Sequence, residues 1–193
     1  MNELSGIRLP PQYERLLARS RAIDFAMNSD VLTGALLRTL SASKPGGAVL
    51  ELGTGCGLGT CWLLHGLDAS SSLVSVDTDP RVQSIAATEL GGDARLTLVL
   101  SDGGEFLETC NRRFDVIYAD AWPGKYTHLD QALGVLAPGG IYVVDDMLPQ
   151  PNWPDGHEAK AAALIERLDR LSGFEVTKLA WSTGVILVAR HAR

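Results

Sequence analysis

The sequence predicts a three-layer α/β fold, in which helices cover both faces of a seven-stranded, mostly parallel β-sheet. Short apolar runs alternate with amphipathic segments along the chain, the pattern of repeated βα units. The first five runs are almost continuously apolar, as expected for strands buried on both faces. Only "WSTG" separates the last two runs, too short for a crossover helix, so they should form an antiparallel hairpin that reverses the last strand.

The strands and helices are expected where the apolar periodicity changes. The predicted strands are residues 48–52, 73–77, 95–100, 114–120, 140–146, 174–180 and 184–190. The helices predicted between them are residues 59–67, 80–90, 125–136 and 158–171. Pro80 suits the first position of a helix, and Gly91 with Gly92 suits its end.

Residues 1–46 are expected to be a helical segment ahead of the core at 47–193, the two together making one domain. Two helices are predicted there, the second capped by Ser29 or Asp30 and ended by the turn at Pro45. The segment is expected to lie over the carboxyl edge of the sheet and to help close a pocket. The alternative is a helical flank that only covers the sheet.

Composition narrows the class of function. The 193 residues are 46% hydrophobic, enough for one well-filled domain. No apolar run of transmembrane length and no signal-peptide pattern is present, so neither membrane insertion nor export is expected. Three cysteines without CxxC spacing favour a reducing cytoplasm. A formal charge of −6 without a basic cluster argues against nucleic acid, and the expected partner is a small molecule.

A glycine-rich stretch, "VLELGTGCGLGT", follows the first strand. A glycine turn between a strand and a helix brings backbone N–H groups close to a ligand. The dinucleotide fingerprint GxGxxG fails here, because its sixth position is Leu58 when read from Gly53 and Thr60 when read from Gly55. Tight packing of the helix on the strand is the other explanation of the glycines.

Acidic residues follow the next two strands. Asp77 ends the second strand, where a carboxylate that binds ribose belongs. Asp102 stands beside Gly103 after the third strand, where it is placed to accept from an exocyclic amine. Either residue alone is more often a solvated cap. Together with the glycine turn at one edge of the sheet, they predict a nucleotide-like ligand.

The stretches "ELGTGCG", "VDTDP", "SDGGEFL", "FDVIYAD" and "LAPGGIYVVDD" resemble the Rossmann-like, class I methyltransferases that depend on S-adenosylmethionine, over nearly the whole chain. The resemblance implies that the glycine turn holds the methionine part, Asp77 the ribose and Asp102 the adenine. Glu51 is expected to support the turn or approach the methionine ammonium. The implied cofactor-binding residues are Glu51, Gly53, Thr54, Gly55, Gly57, Asp77, Thr78, Asp102, Gly103 and Asp120.

Residues 118–147 resemble the catechol and caffeoyl-coenzyme-A O-methyltransferase group. That resemblance implies Mg²⁺ or another divalent cation on Asp120, Asp145 and Asp146, with Lys125 and Asp120 as catalytic residues. The chain departs from the group at two points: Lys125 stands five residues after Asp120 rather than three, and Asp146 replaces the usual Asn. In the alternative, Asp146 only caps a loop and Asp120 contacts only the cofactor, so the metal requirement stays open.

The expected reaction is methyl transfer to an oxygen of a small-molecule acceptor. Trp122 and Trp153 follow strands four and five. Their rings would either form the aromatic walls of the acceptor site or only pack as lids over the protein. His128 is expected on a helix surface, and His157 before the last helix to cap it or line the pocket. A homodimer is a further expectation, because related enzymes often are dimers. The competing functions are cofactor binding without catalysis and a nicotinamide-dependent oxidoreductase.

Overall fold

Seven strands form one sheet in the computed structural model, which describes residues 2–151 and 153–192. The strands are β1 (Ala48–Leu52), β2 (Ser72–Asp77), β3 (Leu96–Leu100), β4 (Phe114–Ala119), β5 (Leu136–Val144), β6 (Phe174–Leu179) and β7 (Val185–Arg190). Their order is β3-β2-β1-β4-β5-β7-β6, and only the pairs that include β7 are antiparallel. The predicted α/β fold class and the reversed last strand are confirmed.

Seven helices accompany the sheet in the described part of the chain. They are α1 (Tyr13–Ala22), α2 (Val31–Ala42), α3 (Leu58–Gly66), α4 (Pro80–Leu90), α5 (Gly103–Thr109), α6 (Leu129–Gly134) and α7 (His157–Asp169). Helix α4 has the predicted bounds, with Pro80 in its first turn and Asp79 as its N-cap. Of the two caps proposed for α2, Asp30 is the one observed, and its carboxylate accepts from the N–H groups of Leu32 and Thr33.

Two predicted elements have different bounds in the structure, and in both cases a turn is involved. Strand β5 begins at Leu136 rather than at residue 140, because a register shift against β4 accommodates the Pro-Gly-Gly sequence inside the strand. The helix predicted over 125–136 is confined to α6. Before it, the N–H groups of Lys125, Tyr126 and Thr127 all donate to the Trp122 carbonyl and form a compact loop.

Burial along the strands follows their position in the sheet. The central strands β1 and β4 are almost wholly buried. The expectation that β3 is buried on both faces was wrong: β3 forms an edge of the sheet, and Leu100 is 55% exposed. Helix α5, which was not predicted, begins directly after β3. Within the described residues, no helix has the length and apolarity needed to cross a membrane.

The N-terminal helices lie against α3 on one face of the sheet. The ring of Tyr13 meets that of Trp62 edge to face, with centroids 5.8 Å apart. The indole N–H of Trp181 donates to the Leu32 carbonyl at 2.9 Å, which ties the start of α2 to the β6–β7 turn. These contacts hold the connection between α1 and α2, residues 23–30, beside the carboxyl ends of the central strands.

Substitution of Gly57 by Ala tests the packing reason for the glycine turn. Gly57 has a φ of +93°, and a Cβ there would stand 2.8 Å from the Cβ of Ala86 on α4. We expect Gly57→Ala to lower the free energy of unfolding by about 2–4 kcal/mol, from backbone strain and overpacking, measured by urea denaturation. Gly92→Ala is the control, since a Cβ at Gly92 meets nothing within 4 Å. Equal stabilities of the two variants would contradict this reading.

Candidate active site

The turn after β1 is held by its neighbours. Gly53, Gly55 and Gly57 all have positive φ angles, of 104°, 51° and 93°. The Gly53 N–H donates to the Val76 carbonyl at 2.9 Å, and the Gly55 N–H donates to the Asp77 carboxylate at 2.7 Å. The glycines therefore have both of the roles that the sequence suggested, close packing and a ligand site. Gly57 allows α4 to pack, and Gly53 and Gly55 shape the wall of a cavity.

That cavity, about 280 Å³, is called the glycine-turn cavity. The predicted cofactor residues on its wall are Gly53, Thr54, Gly55, Asp77, Thr78 and Asp120. Residues of the α1–α2 connection cover it from the other side, namely Phe25, Met27, Asn28 and Ser29. The structure therefore brings together six of the ten residues that the resemblance implied.

Asp77 is held in place by the backbone. One carboxylate oxygen accepts from the Gly55 N–H at 2.7 Å and the other from the Asp79 N–H at 2.9 Å. A carboxylate has about four acceptor directions, so both oxygens keep capacity for ligand hydroxyls. The end of β2 thus presents a fixed acceptor to the glycine-turn cavity.

Asp102 and Gly103 do not line this cavity. The Asp102 carboxylate caps α5 by accepting from the N–H groups of Gly104 and Glu105, at 2.7 and 3.2 Å. A Cβ on Gly103 would stand 3.0 Å from the Pro123 side chain. The cap is an observed role for Asp102, and adenine binding stays a prediction for both residues.

Glu51 lies beneath the glycine turn and is fully buried. One of its carboxylate oxygens accepts from the hydroxyls of Thr60 and Ser75, both at 2.5 Å, and the other has no partner. Burial raises the pKa of Glu51 to about 8. Ser75 also hydrogen-bonds Thr54 of the turn, so the observed contacts match support of the turn rather than an approach to the cavity.

A second cavity, about 360 Å³, adjoins the first and is called the Lys125 cavity. Five residues line both cavities: Met27, Asn28, Ser29, Asp120 and Ala121. Lys125 is 5% exposed and, among the described residues, makes no salt bridge. Asp145 and Asp146 line the same cavity. Both predicted catalytic residues, Lys125 and Asp120, therefore line one cavity.

A tyrosine stands between two of the carboxylates. The Tyr118 hydroxyl lies 2.7 Å from Asp145 Oδ2 and 3.1 Å from Asp120 Oδ2, and Ser29 Oγ lies 3.1 Å away. Desolvation and then the Asp145 charge raise the pKa of Asp120 well above its usual range. Desolvation likewise raises the pKa of Asp145, followed in effect by the charge of Asp146. The Tyr118 hydroxyl thus lies between two carboxyl groups whose pKa values are both raised.

The predicted cation site is not assembled. Carboxylate oxygens are suitable ligands for Mg²⁺. However, the oxygens of Asp145 already accept from Tyr118, from the Thr183 hydroxyl at 2.7 Å and from the Asp146 N–H at 2.8 Å. Across residues 2–151 and 153–192, no three His, Cys, Asp or Glu side chains are grouped so as to hold a metal ion. As placed, Asp120, Asp145 and Asp146 do not fit a divalent cation.

Aromatic rings surround His157 at the mouth of the Lys125 cavity. Ring centroids of Trp153, Tyr126 and Trp122 lie 4.6, 5.1 and 6.1 Å from that of His157. The Tyr126 hydroxyl and His157 Nε2 are 3.0 Å apart. Burial and then the charges of Lys125 and Lys160 lower the pKa of His157. Both loop tryptophans and His157 therefore line the cavity, as one of the sequence interpretations has it.

Two residues that contact the carboxyl groups of the site, Tyr118 and Thr183, were not predicted from the sequence. Tyr118 lies two positions before Asp120. Because side chains alternate between the two faces of a strand, the sequence already indicated that Tyr118 and Asp120 point to the same face. Thr183 lies in the β6–β7 turn and meets Asp145 across the sheet, which no local pattern shows. His128 is not in the cavity and pairs with Glu108 at 3.4 Å.

Residues 50–147 match the family described as "Methyltransferase domain", and the chain belongs to this family. This confirms the resemblance to methyltransferases. The matched segment runs from β1 through β5 and includes the glycine turn, Asp77, Asp120 and Asp145.

Two curated relatives carry the name "Putative O-methyltransferase". The protein from Mycolicibacterium vanbaalenii is 34% identical over 134 residues, covering 66% of this chain and 59% of the relative. That from Mycobacterium ulcerans is also 34% identical over 134 residues, covering 66% of this chain and 60% of the relative. The chain thus spans about three-fifths of the length of these relatives.

Solved structures share the fold. The O-methyltransferase TomG from Streptomyces achromogenes, in complex with SAM, is 21% identical with a TM-score of 0.84, covering 97% of this chain and 92% of TomG. The O-methyltransferase from Bacillus cereus, in complex with SAH, is 19% identical with a TM-score of 0.81, covering 96% and 93%. At these identities the likeness shows the fold.

Glu51 makes stability depend on pH in a defined direction. Its pKa is about 8 in the folded chain and near 4.5 when exposed, so the folded state binds the extra proton between those values. Its contribution is therefore complete below pH 4.5 and is lost as the pH rises toward 8. We expect Glu51→Gln, which stays neutral, to flatten the decline in unfolding free energy between pH 5 and 9, measured by urea denaturation. An identical decline in both proteins would contradict this.

Proposed function

We propose that this protein transfers the methyl group of S-adenosylmethionine to an oxygen of a small molecule. One observation carries the proposal: the glycine-turn cavity and the Lys125 cavity adjoin and share Asp120 and Ala121. A group donated from one cavity would meet an acceptor in the other at their common wall. The family match and the SAM and SAH complexes of proteins with the same fold support the identity of the donor.

The glycine-turn cavity would hold the cofactor. Gly53 and Gly55 lack side chains at its wall, which allows the methionine part close to the backbone. The Asp77 carboxylate, fixed by two backbone N–H groups, would accept from the ribose hydroxyls, with Thr78 beside it. Glu51 would act from beneath by supporting the turn through Ser75 and Thr54.

The Lys125 cavity would hold the acceptor hydroxyl. A phenol with a pKa of about 10 is a weak nucleophile at neutral pH. The Lys125 Nζ would take up the hydroxyl proton as the new O–CH₃ bond forms and the S–CH₃ bond breaks. The products are the methyl ether, S-adenosylhomocysteine and the protonated lysine. Exclusion of water and alignment of the two reactants would lower the remaining barrier.

Turnover without a divalent cation is part of the proposal, because Tyr118 and Thr183 already donate to Asp145, one of the three carboxylates that a cation would need. The acidic net charge of −6 supports a small-molecule acceptor over a nucleic acid. A cytoplasmic location and a homodimer stay predictions from the sequence.

Calorimetric titration with S-adenosylmethionine tests the donor. We expect binding, and a loss of affinity of about tenfold or more in Asp77→Ala, since a charge-assisted hydrogen bond contributes about 1.5–3 kcal/mol. Asp102→Ala is the comparison: with Asp102 serving only as a cap, the affinity stays within about twofold of wild type. Absence of binding at millimolar ligand would reject the proposed function. A large loss in Asp102→Ala would instead support the predicted adenine contact.

Substitution of Lys125 separates chemistry from cofactor binding. Lys125→Met keeps the apolar volume of this buried side chain but removes the base. We expect kcat to fall by about 10²–10⁴-fold, with the Kd for S-adenosylmethionine unchanged. Methyl transfer to a panel of phenols is followed by S-adenosylhomocysteine release. Wild-type turnover in Lys125→Met would contradict the assigned role.

Chelation tests whether a cation takes part. We expect dialysis against EDTA to leave kcat unchanged and added Mg²⁺ to have no effect, because both oxygens of Asp145 already accept from hydroxyl and N–H donors. Loss of turnover in EDTA with recovery in Mg²⁺ would show that Asp120, Asp145 and Asp146 rearrange around a metal, as the resemblance implied.

A further inference from the structure

A third cavity, about 370 Å³, opens between the loop after β4 and the helix α7, and is called the basic cavity. Its charged residues are Lys125, Lys160 and Arg167, and its larger apolar walls are Trp122, Tyr126 and Leu164. Trp122, Lys125 and Tyr126 also line the Lys125 cavity. The two spaces are therefore neighbours on either side of one aromatic wall.

The ionisable residues of the two spaces differ, apart from Lys125, which lines both. Among the described residues, no Asp or Glu lines the basic cavity, whereas Asp30, Asp120, Asp145 and Asp146 line the Lys125 cavity. The whole chain carries a formal charge of −6, so a cavity lined by three basic side chains runs against its composition. An elongated molecule that spans both spaces meets carboxyl groups at one end and cations at the other.

Helix geometry explains how the cations are gathered. Lys160, Leu164 and Arg167 are spaced by four and three residues, which places them on one face of α7. His157, one turn earlier on that face, lines the Lys125 cavity. The same face of α7 therefore runs from one cavity to the other.

Both cations of α7 have hydrogen-bonding capacity for a ligand. Lys160 Nζ lies 4.2 Å from the centroid of the Trp122 ring and, among the described residues, makes no salt bridge. Arg167 donates from one terminal nitrogen to Asp130 at 2.7 Å. A guanidinium has five N–H donors, so the others remain for a second carboxylate or a phosphate.

We propose that the basic cavity binds an anionic arm, a carboxylate or a phosphate, of the methyl acceptor. Lys160 and Arg167 hold the arm, Trp122 and Tyr126 contact the body of the acceptor, and its hydroxyl points into the Lys125 cavity. The charges of Lys160 and Arg167 attract the arm, which favours one orientation of the acceptor. This assignment of substrate class rests on the proposed function, whereas the anion site itself does not.

Titration with matched aromatic probes tests the site. We expect 2-naphthoate to bind at least about tenfold more tightly than the neutral 2-naphthylmethanol, with the difference falling in high salt because the contact is ionic. Lys160→Met and Arg167→Met should each reduce the preference severalfold. Arg170→Met is the control, since Arg170 ends the same helix, pairs with Glu166 and does not line the cavity. Equal binding of both probes, or an unchanged preference in the Lys160→Met/Arg167→Met double variant, would overturn the proposal.

Three further measurements identify the arm and separate this inference from the proposed function. 2-Naphthyl phosphate, titrated alongside, identifies the arm as phosphate if it binds more tightly than 2-naphthoate and as carboxylate if it does not. S-adenosylmethionine affinity, measured on every variant, should be unchanged. Naphthoate binding without S-adenosylmethionine binding would reject the methyltransferase function and retain the anion site. Turnover of neutral and anionic phenols with equal KM would reject the acceptor arm and retain the methyltransferase.

Discussion

The hydrogen bond from the Gly55 N–H to the Asp77 carboxylate is the contact on which the site depends. It joins the turn after β1 to the end of β2. The parallel register places Leu52 opposite both Val76 and Ala119, so β2, β1 and β4 end at the same level. Side chains that follow these three strands therefore meet at one edge. Without the positive φ of Gly55 the N–H would not face Asp77, and the wall of the glycine-turn cavity would change shape.

Buried carboxyl groups are the second constraint. Charged carboxylates are costly to bury, and the structure reduces that cost with hydroxyl donors rather than cations: Thr60 and Ser75 for Glu51, Tyr118 and Thr183 for Asp145. The cations are instead placed along the loop after β4 and on α7. The result is a pair of adjoining spaces, one lined by carboxyl groups and the other by basic side chains, and the basic side chains orient an elongated ligand that carries an anion.

Local patterns predict elements well where local forces decide them. Helix α4 matched its prediction because its start and end are chemical signals in the chain, Asp79 with Pro80 and then Gly91. The short "WSTG" connection was sufficient to predict the reversed strand, since no crossover fits into it.

The exposure of β3 was missed because an apolar run has the same sequence pattern in a strand at the edge of a sheet as in one at its centre. The bulge in β5 was missed because Pro-Gly-Gly is typical of a turn, and only the pairing of Leu136 and Ile141 on either side of it with β4 keeps it within the strand.

By itself the sequence determined which functional residues follow each strand: glycines after β1, Asp77 after β2, and carboxylates after β4 and β5. Parallel strands bring their ends to one edge, so this order predicts a shared site. Only the tertiary structure decided which atoms each of these residues contacts. Asp102 caps α5, Tyr118 bridges two carboxyl groups, and Lys160 lies against Trp122. Side-chain partners far apart in sequence are set by packing between elements, for which a linear pattern contains no signal.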